Sequence, residues 1–470
     1  MRTVRRTRLP ALIACLALLA AASQARAEVL IRWNTDHLPS PQTLGVAALV
    51  VPAGNSTAVR EARRLGYRVH LEVDAPSLGT FTPPPGSLAG VVLKGTASPE
   101  GIARLRRQLA PRDVALRTLD DRGKWPHIRT NWVTRNKEVL QVAGRSAQPW
   151  IENNAALMRI ISAERTAPPQ MVTYAWSPLT VADVDAGPAL EDYLVAIAEA
   201  GSFGGDLVLP LHERLQAGLA VGAPQARIEW EEIRRYLDFY AWAPIARYSP
   251  RANIAVVTAD PMRWFEVMNL LLRHNLPFEV IPPSQLSAAG LSAMALAIVL
   301  DPIEGSPRET LRDFARSGGT VVLDAARAPS FAPPPGSVQS EDGPQRVYPL
   351  GKGRVMGVLQ GVPDPNAFAL EIRQALGREG RVIDIWNGIT VLTAAYEESK
   401  TGSTLVTVLN YAHQPLPVQI RIRGTFTVVH YESPEEPLAL IPHEHRNGDT
   451  EFVLPALRAG GRVFLSGALP

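Results

Sequence analysis

At 470 residues the chain is too long for one hydrophobic core, since single cores stop growing at roughly 250–300 residues, so two or three domains are expected. With 46% hydrophobic and 20% charged residues it reads as an ordinary globular protein, and wholesale disorder is excluded. The formal charge of +3 arises at the N-terminus: residues 1–27 hold five of the 48 basic side chains and no acid, leaving 43 against 45 acidic groups. A net of −2 argues against a nucleic-acid partner.

Arg2, Arg5, Arg6 and Arg8 precede an apolar run from Leu9 to Ala22, and Ala25-Arg26-Ala27 supplies a small-x-small cleavage site. This is the pattern of a secretory signal peptide, so an exported protein, periplasmic or extracellular, is expected. The run is interrupted by Pro10 and falls short of the about 20 residues that span a bilayer; no later segment is long enough either, so no integral membrane segment is expected. An alternative reads Leu12-Ile13-Ala14-Cys15 as a lipobox, with the chain anchored at Cys15. Cys15 is the only cysteine, so cleavage after Ala27 leaves none, excluding disulfides, thiolate metal sites and cysteine nucleophiles.

From Glu28 to Pro244 short strand-like runs alternate with helix-like ones. Val29–Asn34, Val46–Val51, Tyr67–Asp74, Val91–Lys94, Val114–Asp120, Pro149–Asn153, Met171–Trp176 and Asp206–His212 are aliphatic or β-branched and bounded by turn residues. Ser56–Leu65, Pro99–Leu109, Asn136–Val142, Leu190–Ala200 and Trp230–Trp242 are the helix candidates; Ser98 and Pro99 form a cap and a first-turn proline. Eight strand–helix units predict a (β/α)8 TIM barrel over residues 28–244, with an open doubly wound sheet as the competing arrangement. Residues 251–380 then read as a flavodoxin-like α/β domain: strands at Asn253–Thr258, Phe278–Ile281, Leu296–Leu300 and Thr320–Asp324, helices at Met262–His274 and Arg308–Arg316. Its Ala326–Gln345 stretch, rich in Pro, Gly and Ser, should be a loop. From 381 to 470 short alternating strands with turn signals predict a β-sandwich.

Asn253-Ile-Ala-Val-Val-Thr258, Phe314-Ala-Arg-Ser-Gly-Gly-Thr-Val-Val-Leu323, Gly351-Lys-Gly-Arg-Val355, Leu409-Asn-Tyr411 and Tyr431-Glu-Ser-Pro434, together with this order of parts, resemble the family 42 β-galactosidases and related glycosidases. The resemblance implies a catalytic TIM barrel, an amidotransferase-like trimerisation domain and a small C-terminal β domain, hence a carbohydrate ligand and a homotrimer. That clan places its acid/base in an Asn-Glu pair after strand four and its nucleophile glutamate after strand seven. Here strand four ends Leu93-Lys94-Gly95 and strand seven ends Tyr174-Ala-Trp176-Ser177, and neither offers a carboxylate.

In a barrel, function belongs to the C-terminal ends of the strands. Parity in Arg68-Val-His-Leu-Glu-Val-Asp74 puts His70, Glu72 and Asp74 on one face and Val69, Leu71 and Val73 on the other, which places the polar set in the interior. Trp150, Glu152 and Asn154 likewise share a face. A glycosidase needs two carboxylates across the scissile bond, and Glu72 with Glu152, three strands apart, is the candidate catalytic pair. Buried ion pairs with Arg32, Lys94 or Arg129 are the alternative role for these carboxylates.

Further strand-end residues, Asn34, Asp74 and Asp120, then Trp150, Asn154 and Trp176, then His212 and Glu213, are candidates for sugar contacts. So are Trp125, His127 and Arg129 in the dense Lys124–Trp132 stretch, because aromatic faces stack on sugar rings and guanidinium and amide groups bond hydroxyls; the same stretch also reads as a loop pinned by its own tryptophans. Thr118-Leu-Asp-Asp121 weakly resembles the Thr-Phe-Asp-Asp motif of polysaccharide deacetylases, but no His-x-x-x-His element accompanies it. No phosphate loop, zinc helix or nucleophile elbow is present, so no cofactor or metal is expected. A non-catalytic carbohydrate-binding protein or scaffold is the alternative to a hydrolase.

Overall fold

The computed structural model describes residues 28–110, 114–129, 132–136, 139–143, 150–164, 168–176, 187–241, 244–331, 346–358 and 362–468. The expected signal peptide and most of the Pro-rich loop expected before Gln345 lie outside the described residues.

Seven parallel strands close a barrel: β1 (Val29–Arg32), β2 (Ala48–Pro52), β3 (Arg68–Asp74), β4 (Gly90–Lys94), β5 (Ala115–Lys124), then Gln170–Ala175 and Leu207–Pro210. Between them the chain forms three-residue β6 (His127–Arg129), the hairpin β7 (Trp132–Asn136) and β8 (Val139–Ala143), and β9 (Trp150–Glu152), so the last two barrel strands are β10 and β11. The fold is the expected TIM barrel with further domains behind it, built on seven strands where eight were counted. The sixth expected strand is β9, which pairs antiparallel with β6 outside the barrel. The cause is the length of β5: it pairs with β10 from Thr118↔Gln170 to Lys124↔Ala175 and occupies the edge that a sixth strand would need. The expected helix over Asn136–Val142 is also replaced, by the β7–β8 hairpin; Val133, Thr134, Val139 and Val142 favour extended backbone.

The helices of the barrel are α1 (Ser56–Arg64), α2 (Pro99–Leu109), α3 (Ala155–Glu164), α4 (Leu190–Phe203), α5 (Glu213–Ala220) and α6 (Pro224–Ala241). Asn55 caps α1 by accepting the Ala58 N–H at 3.0 Å, and Ser98 caps α2 ahead of Pro99 as the sequence suggests. Register assigns the lumen. Leu30, Val50, Val92, Leu119, Met171 and Val208 form one apolar plug, and residues in parallel register share its face. His70 is the register partner of Val50, and Arg32, Glu72 and Lys94 follow two residues beyond plug or lumen positions, above the plug. The parity expected for His70, Glu72 and Asp74 therefore holds. Gly90 is needed beside His70, since a Cβ there would stand 2.3 Å from the imidazole Nδ1 and 3.0 Å from the Ala115 carbonyl.

The α/β segment forms a six-stranded sheet in the order Phe278–Ile281, Ile254–Val257, Leu296–Val299, Thr320–Asp324, Gly353–Val358, Arg346–Leu350, parallel except for the last. The C-terminal segment forms two antiparallel sheets whose facing side chains, among them Val406, Val429, Val463, Ile420, Phe452 and Leu454, make one core, a β-sandwich. The outer face of its larger sheet is also covered: Leu405, Leu409 and Tyr411 join the main core with α4. This explains why α4 is buried on all sides from Asp192 to Phe203, as a helix apolar all round should be.

One charge stands in the middle of that helix, beyond the acids of its first turn. Glu199 is fully buried, and its Oε1 accepts the Asn154 backbone N–H (3.1 Å), Asn154 Nδ2 (2.7 Å) and the Tyr174 hydroxyl (3.1 Å), while Oε2 accepts the Tyr411 hydroxyl (2.6 Å). A single carboxylate thus ties the β9–α3 junction, β10 and the β-sandwich together. Burial pushes its pKa up to about 7, against the opposing effect of its four donors.

Two outcomes follow. Gly90→Ala should lower the stability of the barrel by about 1–3 kcal/mol in denaturant unfolding, the cost of forcing a methyl into a filled interior. Because the Glu199 pKa is raised on folding, the folded state holds the extra proton. Its contribution to stability is complete below about pH 4.5 and is lost as pH rises through about 7. Glu199→Gln, which keeps the shape and the acceptor facing Asn154, should flatten the decline in unfolding free energy between pH 5 and 8; an unchanged pH profile would show that Glu199 does not titrate in that window.

Candidate functional site

The C-terminal mouth of the barrel gathers charge above the apolar plug. Glu72, 6% exposed, accepts from Arg32 Nη2 at 2.5 Å. Burial raises its pKa above the ordinary carboxylate range; Arg32 and Lys94 pull it down, and Asp74 and Asp121 push it further up. Its second oxygen, Oε2, is shielded from solvent and has no hydrogen-bond partner among the described residues. The ion pair with Arg32 named as an alternative in the sequence is therefore present, and the proton affinity of Glu72 is nonetheless raised. A β-bulge between β5 and β10 falls between Asp120 and Gly123, directly at Asp121, and bulges re-aim side chains at barrel rims.

Beside this cluster a cavity of about 780 Å³ opens between the ends of β2 and β3, the first turns of α1 and the segment 77–85. Glu72 and Asp74 form one wall, Arg60 and Arg63 of α1 stand on another, and Phe81 contributes an aromatic face. The volume lies within the about 300–1,000 Å³ that ligand sites use. What the arrangement can do is hold a polar ligand against two carboxylates on one strand, one of which retains its proton more readily than a free acid.

The structure does not bring Glu152 into this cluster. β9 stands outside the barrel sheet, so the three-strand offset from Glu72 does not exist. Glu152 pairs with Lys124 at 3.2 Å, and its charge acts on Glu266 of the α/β domain, while the charges that act on Glu72 are Arg32, Lys94, Asp74 and Asp121. The carboxylates whose charge reaches Glu72 are Asp74 and Asp121.

Several sugar-contact candidates are spent on the interior. Trp125 is 2% exposed and packs edge-on against Tyr174, Trp176 and Tyr193 at 5.3–6.0 Å, so its faces cannot stack on a ligand. Trp176 is half-buried against it. Asn154 is committed to Glu199 and to the Lys124 backbone, whose N–H it accepts at 2.8 Å. Asp120 points away from the lumen, bound by the Arg122 Nε (2.9 Å) and by Gln170 Nε2 (2.8 Å). Among the described residues no group of three or more metal-binding side chains is present. His212 caps α5, its Nδ1 accepting the Arg214 N–H at 3.3 Å, and Glu213 opens that helix exposed to solvent. His127 holds the Trp125 carbonyl at 2.8 Å on β6, facing Glu152 in register, and Arg129 pairs with the half-buried Trp150; the Arg129 side chain lies outside the described residues. Asn34, at the end of β1, offers a shielded Oδ1 with no partner, while its backbone N–H and carbonyl are held by Gln216 and Asn55.

Arg60, Arg63 and Phe81 were not legible as site residues. Arg60 and Arg63 belong to a helix whose charges suggest an ordinary solvated face, and Phe81 sits in a Pro-rich turn. Glu199 did carry a signal, an acid in the middle of an otherwise apolar helix.

No protein-family profile matches the sequence, and no curated protein matches it. Among solved structures the chain is similar to α-L-fucosidase isoenzyme 2 from Paenibacillus thiaminolyticus, with 10% identity over 94% of this chain and 99% of that one and a TM-score of 0.56. Gan42B, a GH42 β-galactosidase from G. stearothermophilus, aligns over 94% and 98% of the two chains at 9% identity and TM-score 0.45. A rhamnosidase from Novosphingobium sp. PP1Y aligns over 87% and 38% at 12% identity and TM-score 0.44. At this identity the fucosidase likeness is one of fold. The protein therefore has a glycosidase-like architecture, a closed parallel barrel followed by an α/β domain and a β-sandwich.

Proposed function

We propose that the protein is an exported, carbohydrate-active protein that binds an oligosaccharide at the β2–β3 mouth and hydrolyses it with Glu72 as general acid. The observation that carries this reading is the about 780 Å³ cavity with Glu72 and Asp74 in its wall. Glycoside hydrolysis needs one carboxyl that keeps its proton and one that stays ionised. Burial gives Glu72 the first property; Asp74, exposed at the end of the same strand, and Asp121, whose charge acts on Glu72, are the carboxylates near enough to serve as its partner. One observation favours binding without hydrolysis as the second reading: Arg32 at 2.5 Å holds Glu72 in an ion pair, which opposes donation of a proton.

Export is part of the same proposal and rests on the pattern in residues 1–27. The Glu28 N–H donates to Asp206 Oδ1 at 2.7 Å. Cleavage after Ala27 would convert that donor to an ammonium facing a carboxylate, a stronger pairing. A homotrimer assembled through the α/β domain goes with the resemblance to the β-galactosidases, and light scattering measures it directly.

A panel of oligosaccharides assayed for binding and cleavage, with wild type and Glu72→Gln, separates the two readings. Loss of cleavage by about 10²–10⁴-fold with binding retained assigns the acid to Glu72. Binding without cleavage in either protein establishes the binding protein. No binding to any saccharide overturns the proposal. N-terminal sequencing of the protein recovered from periplasm or medium should begin at Glu28; a chain that keeps residues 1–27, or a lipid-modified Cys15, would contradict cleavage after Ala27.

A further inference from the structure

Resting on that reading of the cavity, we propose that its ligand is an anionic saccharide, with the carboxylate of a uronic acid or a sulfate ester held by Arg60 and Arg63. The two arginines lie three residues apart on α1, hence on one face of the helix, and both line the cavity. Neither forms an ion pair with a carboxylate among the described residues, whereas the adjacent Arg64 is consumed by Glu61 at 2.6 Å. Arg63 is fixed in place: its Nη1 donates to the Pro85 carbonyl at 2.9 Å and pins the segment that carries Phe81. Its Nε and Nη2 have no acceptor among the described residues but are closed to solvent, so the exposed Arg60 is the cation a ligand meets first, with the charge of Arg63 behind it. The group that matches such a pair of cations is a carboxylate or sulfate.

The acids of the cavity do not supply that match. Glu72 is turned to Arg32, and Asp74 forms no ion pair among the described residues. The cavity thus separates charge, with cations on the α1 wall and carboxylates on the β3 wall. A neutral sugar would satisfy the hydroxyl-bonding groups and leave the α1 cations uncompensated; a sugar bearing an anion would meet them with that anion and present its remaining ring to Phe81 and to Glu72. The anion therefore fixes which way the saccharide enters.

Titration calorimetry of the mature protein tests this with three ligands of equal length: an oligogalacturonide, a sulfated galacto-oligosaccharide and the neutral galacto-oligosaccharide. At least one anionic ligand should bind about tenfold or more tightly than the neutral one, and added salt should narrow the gap. Arg60→Gln and Arg63→Gln should each remove about tenfold of that preference, read as the ratio of anionic to neutral affinity measured on the same variant. Arg60 is exposed and holds no other side chain or backbone group among the described residues, so its variant keeps the test valid if Arg63→Gln loosens the 81–85 segment. Equal affinity for neutral and anionic ligands, or an anionic preference that survives Arg60→Gln and Arg63→Gln alike, overturns this inference while leaving carbohydrate binding standing. Failure of all three ligands to bind overturns both.

Discussion

A carboxylate placed inside a barrel has to be matched by charge, and the pairing of Glu72 with Arg32 above the apolar plug is the interaction on which the rest of the mouth depends. Below it, Leu30, Val50, Val92, Leu119, Met171 and Val208 close the lumen. Desolvation of Glu72 is offset by Arg32 and Lys94 but not cancelled, so its proton affinity stays raised. The strands that carry Glu72 and the two cations offsetting it, β3, β1 and β4, are fixed by parallel register, which makes that part of the site a property of the barrel itself. The cavity beside it adds the groups a polar ligand would need without disturbing that register.

The barrel and the β-sandwich are joined by a second buried carboxylate. Glu199 binds the junction before α3, the end of β10 and the β-sandwich through Asn154, Tyr174 and Tyr411. Tyr411 is one of the residues, with Leu405 and Leu409, through which the sandwich reaches the main core, and it follows a strand whose side chains are buried on both faces. The same network explains why the region after β5 departs from regular barrel geometry: Asn154 and the Lys124 backbone bond each other in both directions, fixing β9 against the end of β5 rather than within the sheet.

Much of this was legible from the sequence, and the failures have physical causes. Aliphatic runs bounded by turn residues marked the seven barrel strands, and period-two alternation placed His70, Glu72 and Asp74 in the lumen. Alternation could not reveal that β5 would extend to Lys124 and exclude β9, because strand length depends on the pairing partner. That one displacement removed Glu152 from the pair with Glu72. Residue type proved a weak guide to exposure: the tryptophan most suited to stacking, Trp125, is enclosed by three aromatic rings, and Asn154 is held by a glutamate 45 positions away. The cavity cations were hidden for the opposite reason, since arginines on an amphipathic helix read as solvated until a neighbouring loop encloses one of them.

The likeness to glycosidases is one of architecture, and the site on this barrel is argued from its own side chains. Strand four ends at Lys94, followed by Gly95, and the carboxylates that gather at the mouth stand on β3 and β5. The most direct measurement is a crystal structure of the protein soaked with the tightest-binding oligosaccharide. The account predicts density for a sugar ring between β3 and α1, with a hydroxyl or glycosidic oxygen within hydrogen-bond distance of Glu72. Density confined to the β6–β9 side, near His127 and Trp150, would contradict it.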